Sequence, residues 1–157
     1  NENGKLKPIS KYGKTKLLAE KYLEKKNRQT NIKCCVGRIF SFTDKKQPES
    51  FLVPALKKKL SSKNKKIKLK NLNHYRDFIS IYDLCRAIIF LSKRKFNGKI
   101  NLASGKELFI KDVAIKLNKN KINLKFIDNK IPSYLIADIT KLKKLGFKFI
   151  YKPLSFI

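Results

Sequence analysis

A helix-forming stretch that runs straight into a buried-strand signature sets the fold class of this 157-residue chain. Pro8 to Leu23, PISKYGKTKLLAEKYL, is a turn leading into a helix expected from Ser10 to Lys26. After a polar break at 27–31 comes Ile32 to Phe42, IKCCVGRIFSF, a short and nearly continuous apolar run with β-branched residues. Such a run suits a strand buried on both faces, the position strands take in parallel sheets. A helix followed by a buried strand is half of a β-α-β alternation, so the pattern predicts an α/β fold with a parallel sheet. A chain of this length buries about two thirds of its unfolded surface in one core, and 42% hydrophobic residues supply it.

The remaining segments extend the alternation. Asn1 to Lys7 and Lys45 to Ser50 are polar loops, and Phe51 to Leu60 is expected as a short helix interrupted by Pro54. Ile67 and Leu69 alternate with lysines at the strand period, which predicts a half-exposed edge strand guarded by lysine. A strand through Arg76 to Ile79 leads into a helix from Leu84 to Ser92, with Asp83 charging its first turn. A strand in Gly98 to Gly105, a helix through Leu117, a strand at Ile122 to Ile127 and a closing helix ending at Gly146 follow.

Charge bears on partners. With 39 Lys+Arg against 11 Asp+Glu, the formal net charge is +28, which points on its face to a polyanion. Only five of those cations are arginines, and the nucleic-acid preference for arginine forks with interleaved aromatics is missing. Inflated lysine, asparagine and isoleucine fit an AT-rich genome equally well. A lysine-rich nucleic-acid-binding protein, with Lys57 to Lys70 as its contact tract, is therefore the rival class and not the favoured one. No apolar run reaches membrane-spanning length, and Asn1 to Ile9 lacks a signal-peptide core, so the expectation is a cytoplasmic protein with no membrane partner. Cys34, Cys35 and Cys85 are expected as reduced, buried small hydrophobes, and with His74 the only histidine no metal-ligand spacing exists. The chain has no methionine, which predicts a processed end or a fragment.

Tyr12 and Lys16 are the candidate catalytic pair. Positions i and i+4 share one helix face, so the phenol and the ammonium can address the same space. A neighbouring cation favours the phenolate and brings tyrosine toward the working range of a general acid or base, able to exchange a proton with a sugar oxygen. Spacing alone carries little, since six tyrosines among 34 lysines give roughly one such match by chance and Tyr22 with Lys26 is a second. Context distinguishes the first: Pro8 fixes the approach, Ser10 is an N-cap, and Gly13, Thr15 and Ala19 keep one side small.

The order Pro-Ile-Ser-x-Tyr-Gly-Lys-Thr-Lys-x-x-x-Glu from Pro8 to Glu20 resembles the catalytic helix of the extended short-chain dehydrogenase/reductases that act on nucleotide sugars. Arg38-Ile39-Phe40 resembles that family's Arg-x-Phe-Asn-x-Tyr-Gly. Arg76 to Ile79 with Ile81-x-Asp83 resembles its Arg-Asp-Phe-Ile-x-Val-x-Asp. Gly98 to Gly105 and Asp138 to Phe147 resemble its later strand and closing helix. Two departures stand out: Ser41 replaces the usual asparagine, and Thr43-Asp44 replaces Tyr-Gly.

The resemblance implies the back part of a Rossmann-like doubly wound parallel sheet plus a small α/β substrate-binding subdomain, with the first β-α-β units missing. Residues 1–44 and 78–104 would belong to the cofactor domain, and 45–77 and 105–157 to the substrate-binding subdomain. It implies an NAD(P)-dependent nucleotide-sugar epimerase, dehydratase or 4-ketoreductase. Tyr12 would transfer the proton, and Lys16 would lower its pKa and hold the nicotinamide ribose. Arg38 would border the cofactor, Ser41 would contact the sugar nucleotide, and Arg76 would grip its diphosphate. The cofactor would be NAD or NADP and the partner a nucleotide sugar, with a possible homodimer through the Tyr12–Lys16 helix along Leu17, Leu18 and Tyr22. The departure at Ser41 to Asp44 inclines the reading toward a keto-sugar reductase. The six glycines, at 4, 13, 37, 98, 105 and 146, form no Gly-x-x-Gly-x-x-Gly, so this polypeptide alone is expected to be inactive, to bind no dinucleotide and to expose a sheet edge. An inactive remnant is the third possibility.

Overall fold

A computed structural model of the chain describes residues 1–128 and 131–154. Helix α1 runs over Lys11–Gln29, and the Gly13 N–H donates to the Ser10 Oγ at 3.0 Å, so the serine caps as its position indicates. The apolar run that follows is not one strand. It splits at Phe40 into β1, Cys35–Ile39, and β2, Ser41–Thr43, because the two halves pair with different partners. Strand β1 is parallel to β5, Gly98–Leu102, and β2 is parallel to β4, His74–Ser80. Nor is β1 buried on both faces. Its residues alternate between exposed and half-buried because one face is left open, and Cys35, like Cys85, is exposed where burial was expected.

Helix α2, Leu52–Leu60, is continuous, which corrects the expected interruption at Pro54. Proline falls in the first turn, where its missing N–H would have found no intrahelical acceptor. Val53, Leu56 and Leu60 form its buried stripe. Strand β3, Lys66–Lys70, turns Ile67 and Leu69 inward and its three lysines outward, and pairs in parallel with β7, Asn123–Ile127. Around β4 the sheet is mixed: β6, Glu107–Phe109, is antiparallel to it and β8, Ser133–Leu135, is parallel. Both are three-residue strands too short to show a period in the sequence.

Helix α3, Ile81–Lys93, begins three residues ahead of the expected start. Asp83 is in its first turn and does more than charge it. Fully buried, it accepts from the Ile150 and Tyr151 N–H groups and pairs with Arg86, tying the C-terminal segment to the helix. Helix α4 covers Ile110–Leu117 and α5 covers Thr140–Lys144, ending at Gly146 with φ of 90°.

Among the described residues two large apolar clusters result, beside a small one of Ala103, Ala137 and Ile139. One joins α2, β3, β7 and α4 through Val53, Leu56, Ile67, Leu69 and Val113. The other joins α3, β5 and α5 through Leu84, Leu91, Ile100, Leu102 and Leu142. Asp77 pins the connection between them. Its Oδ1 accepts from the Ser104 N–H at 2.8 Å and the Ser104 hydroxyl at 2.7 Å, and its Oδ2 accepts from the Gly105 N–H at 2.9 Å. Gly105 sits at φ 69°, and a Cβ there would meet Ile139 at 2.7 Å, so the turn admits only glycine. No described helix is long and apolar enough to cross a membrane.

Candidate active site

The orientation of α1 decides where Tyr12 and Lys16 lie. Glu24 on α1 pairs with Lys99 at 2.5 Å, and Glu20, one turn nearer the helix start, pairs with Arg38. In the β1–β5 ladder Lys99 is level with Val36, whereas Arg38 is level with Asn101, one pair of residues closer to the carboxyl ends. Moving toward the start of α1 therefore means moving toward the carboxyl ends of the strands. Tyr12 is eight residues before Glu20, about 12 Å further along the axis at 1.5 Å per residue. The pair thus stands past the carboxyl ends of β1 and β5, the side on which open α/β sheets bind ligands.

Lys16 Nζ lies 5.3 Å from the centroid of the Tyr12 ring, so the two share a face, and Tyr12 is 72% exposed and accessible to a ligand. Tyr22 and Lys26 have the same relationship at 5.7 Å. What separates the matches is position, since Tyr22 lies on the amino-end side of Glu20–Arg38.

Arg38 is held by the helix and the N-terminal segment. Its Nε donates to Glu20 Oε2 at 3.0 Å, a second nitrogen pairs with Glu20 Oε1, and a third donates to the Glu2 carbonyl at 2.8 Å. This hydrogen bonding holds the Glu20 carboxyl below its ordinary value and raises the Arg38 guanidinium. Glu20 closes the motif read at Pro8 to Glu20, but sequence reasoning gave it no role. Its position four residues after Lys16, on the same helix face, was the available signal.

Ser41 and Arg76 are brought together elsewhere. Both line a cavity of about 270 Å³ with Thr43, Gln47, Phe51 and Phe78. Parallel pairing of β2 with β4 sets Ser41 opposite Phe78, two residues from Arg76. Arg76 donates to the Ser133 carbonyl at 3.1 Å and the Ser133 Oγ at 3.0 Å, and that hydroxyl lies 2.9 Å from His74 Nδ1. Burial lowers the guanidinium from its ordinary value, which raises the benefit of an anion beside it. Tyr12, Lys16 and Arg38 do not line this cavity. Ser133 was missed because it reaches Arg76 from 57 residues away.

Residues 1–103 match the model of the NAD-dependent epimerase/dehydratase family. This chain belongs to that family. Among its curated members, GDP-6-deoxy-D-talose 4-dehydrogenase from Aggregatibacter actinomycetemcomitans is 35% identical over 100 residues, covering 63% of this chain and 33% of that protein. UDP-N-acetylglucosamine 4-epimerase from Methanobrevibacter ruminantium M1, solved with UDP-N-acetylmuramic acid, has a TM-score of 0.79 at 25% identity, over 94% of this chain and 51% of its own. For the fold, RMD from Pseudomonas aeruginosa complexed with NADPH has a TM-score of 0.83 at 18% identity, over 94% of this chain and 54% of its own. The fold neighbour dTDP-glucose 4,6-dehydratase from Bacillus anthracis, solved with NAD, has a TM-score of 0.81 at 18% identity, over 98% of this chain and 50% of its own. This family member therefore spans about half the length of the solved structures and a third of the curated relative.

The family is NAD-dependent, and NAD or NADPH is bound in its fold neighbours. The chain's own residues fit one part of such a cofactor. Tyr12 and Lys16 present a phenol and an ammonium suited to ribose hydroxyls, whereas no glycine-rich turn precedes a helix to receive a pyrophosphate.

Proposed function

We propose that the chain carries the proton-transfer helix and the substrate pocket of a nucleotide-sugar oxidoreductase acting at carbon 4 of a hexose, in the reductive direction on a 4-keto sugar. The observation that carries this reading is the placement of Tyr12 and Lys16 on one face of α1, past the carboxyl ends of β1 and β5. The talose dehydrogenase named for position 4 supports redox chemistry there over epimerisation or dehydration.

Bound NAD or NADP would supply the hydride. Tyr12 would donate its phenolic proton to the carbon-4 oxygen as that oxygen gains charge, and the Lys16 ammonium would stabilise the phenolate left behind. Lys16 would also hold the nicotinamide ribose. Arg76 would take the substrate diphosphate with the face of its guanidinium not given to Ser133, and the Ser41 hydroxyl would contact the sugar nucleotide in the same cavity. Arg38, expected to border the cofactor, acts there by fixing α1 against the sheet end. Residues 1–44 and 78–104 form the cofactor side and 45–77 and 105–157 the substrate side, with α5 packing back on β5. Leu17, Leu18 and Tyr22 would support a homodimer along α1, and the cytoplasm is its compartment.

The test is turnover. A complete enzyme containing this segment, given NADH or NADPH and a nucleotide-linked 4-ketohexose, should oxidise the reduced cofactor. No oxidation, with epimerisation of the 4-hydroxy sugar instead, would overturn the reductase reading.

A further inference from the structure

Two basic tracts far apart in the chain share one surface. Residues 57–70 hold eight lysines and residues 116–127 hold four, with no acidic residue in either. About a third of the chain's 34 lysines thus sit in about a sixth of its length, whereas a uniform compositional bias would spread them evenly. The parallel ladder of β3 with β7 joins the tracts, setting Lys66 level with Asn123 and Lys68 level with Lys125. Ile67 and Leu69 turn inward, and Leu124 and Phe126 pack against the same core. By strand alternation the opposite face presents Lys66, Lys68, Lys70 and Lys125, all exposed. Lys63, Lys65, Lys119 and Lys121, also exposed, extend it from the turns before the two strands. Edge protection accounts for lysines on β3 but not for those in the turns.

Among the described residues Lys58 alone of these twelve lysines forms an ion pair, with Glu49. Crowded like charges repel one another, and a bound polyanion relieves that cost. Two clefts cut into the surface. One of about 470 Å³ is bordered by Lys59, Ser62, Asn64, Lys66 and Lys68, and one of about 510 Å³ by Ser62, Asn64, Lys65, Asn120 and Lys121. The Ser62 Oγ, shared by both, is buried with no hydrogen-bond partner among the described residues, so it has a donor to offer an anion. The carboxyl end of α2 would repel an anion, but the Ser61 N–H donates to the Lys57 carbonyl at 2.9 Å and the Ser62 N–H to the Lys59 carbonyl at 3.4 Å. None of these residues lines the cavity of Ser41 and Arg76.

We infer that this face is a docking surface for the phosphate backbone of a nucleic-acid duplex, bound without regard to sequence. Alternate residues of β3 are about 6.6 Å apart, close to the roughly 6.8 Å between every second phosphate along one strand of a duplex. The two tracts contain no arginine, so they supply point charges for phosphates and no bidentate fork for base edges. Their one aromatic residue, Phe126, packs against the core, which leaves no platform for stacking unpaired bases. No exposed large apolar side chain among the described residues belongs to either tract, so a lipid surface would find nothing to take into its acyl boundary.

The proposal is independent of the assigned reaction and is tested on residues 1–157. The chain is titrated with a short DNA duplex of arbitrary sequence between about 50 and 200 mM salt. One variant combines Lys66→Gln, Lys68→Gln and Lys125→Gln, and a second of equal charge combines Lys14→Gln, Lys21→Gln and Lys25→Gln, all exposed on α1. Each phosphate contact contributes about 0.9 to the slope of log affinity against log salt, so the first variant should flatten that slope by about 2–3 and weaken binding by at least about tenfold. Lys63→Gln with Lys121→Gln, in the turns, should flatten it by about 1–2, and the α1 variant should leave it unchanged. Circular dichroism checks that each variant keeps its fold. Equal losses in the β3–β7 and α1 variants, tighter binding of single-stranded DNA than of duplex, capture by anionic lipid vesicles through the same lysines in preference to duplex, or no binding of duplex would each overturn the inference.

Discussion

Glu20 and Arg38 form a two-point ion pair that joins the third turn of α1 to the end of β1. Both side chains are largely withdrawn from solvent, with 11% and 17% of their surface exposed. Removing one partner leaves the other's charge poorly solvated, which costs on the order of 1.5–3 kcal/mol for a charged hydrogen bond. Glu20→Gln should therefore lower the urea midpoint of unfolding with an unchanged slope. In a complete enzyme it should reduce kcat more than KM, because the helix bearing Tyr12 loses its anchor.

The same pair sets a pH dependence. Arg38 holds the folded-state Glu20 carboxyl below its ordinary value of 4.5, so the unfolded chain binds this proton more readily. The stabilisation is then complete above that ordinary value and disappears as pH falls through the lower folded value. Urea melts of the wild-type chain should weaken in this acidic window. Melts of Glu20→Gln should lack that component, and identical pH profiles would contradict the pairing.

Asp77 and Gly105 make a second structural prediction. Asp77→Ala would remove a buried carboxylate that accepts from the Ser104 and Gly105 N–H groups, at about 1.5–3 kcal/mol for hydrogen bonds to a charged group. Gly105→Ala combines a positive φ with a Cβ at 2.7 Å from Ile139 and should cost about 1–3 kcal/mol. Both are read from chemical denaturation, and neither change should alter the secondary-structure content seen by circular dichroism.

Core packing gives a third prediction. Leu142 is fully buried between α5 and the β5–α3 cluster, and Leu142→Ala should cost about 2–5 kcal/mol, the range for a cavity of that size. Lys143→Ala, one residue along the same helix, is exposed and should stay within about 0.5 kcal/mol of wild type.

Charge makes the fourth. At +28 the chain should bind duplex DNA at low ionic strength without sequence preference, and that affinity should collapse between about 50 and 200 mM salt. Binding to one sequence that survives 200 mM salt would favour the nucleic-acid class instead.

The elements legible in the sequence were those with a local signal. Ser10, the small residues after it and the length of α1 announced the helix, and the lysine alternation announced β3 as an edge. What stayed hidden depends on partners distant in the chain. The break at Phe40 exists because β1 follows β5 while β2 follows β4, a choice that no window around residue 40 contains. Strands β6 and β8 are three residues each and owe their existence to β4. Motif context singled out Tyr12 and Lys16 as candidates, and Ser41 and Arg76 line one cavity. The partners of Arg38 and Arg76, 18 and 57 residues away, could not be read from composition or period.

The measurement that bears most directly on the central claim compares two conservative changes in the complete enzyme. Tyr12→Phe and Tyr22→Phe each remove one hydroxyl from α1, from pairs with nearly the same Tyr–Lys geometry on either side of the Glu20–Arg38 contact. If Tyr12 transfers the proton, kcat falls by about 10²–10⁴-fold for Tyr12→Phe while cofactor affinity holds, and Tyr22→Phe turns over like wild type. Equal turnover in the two variants would contradict the account.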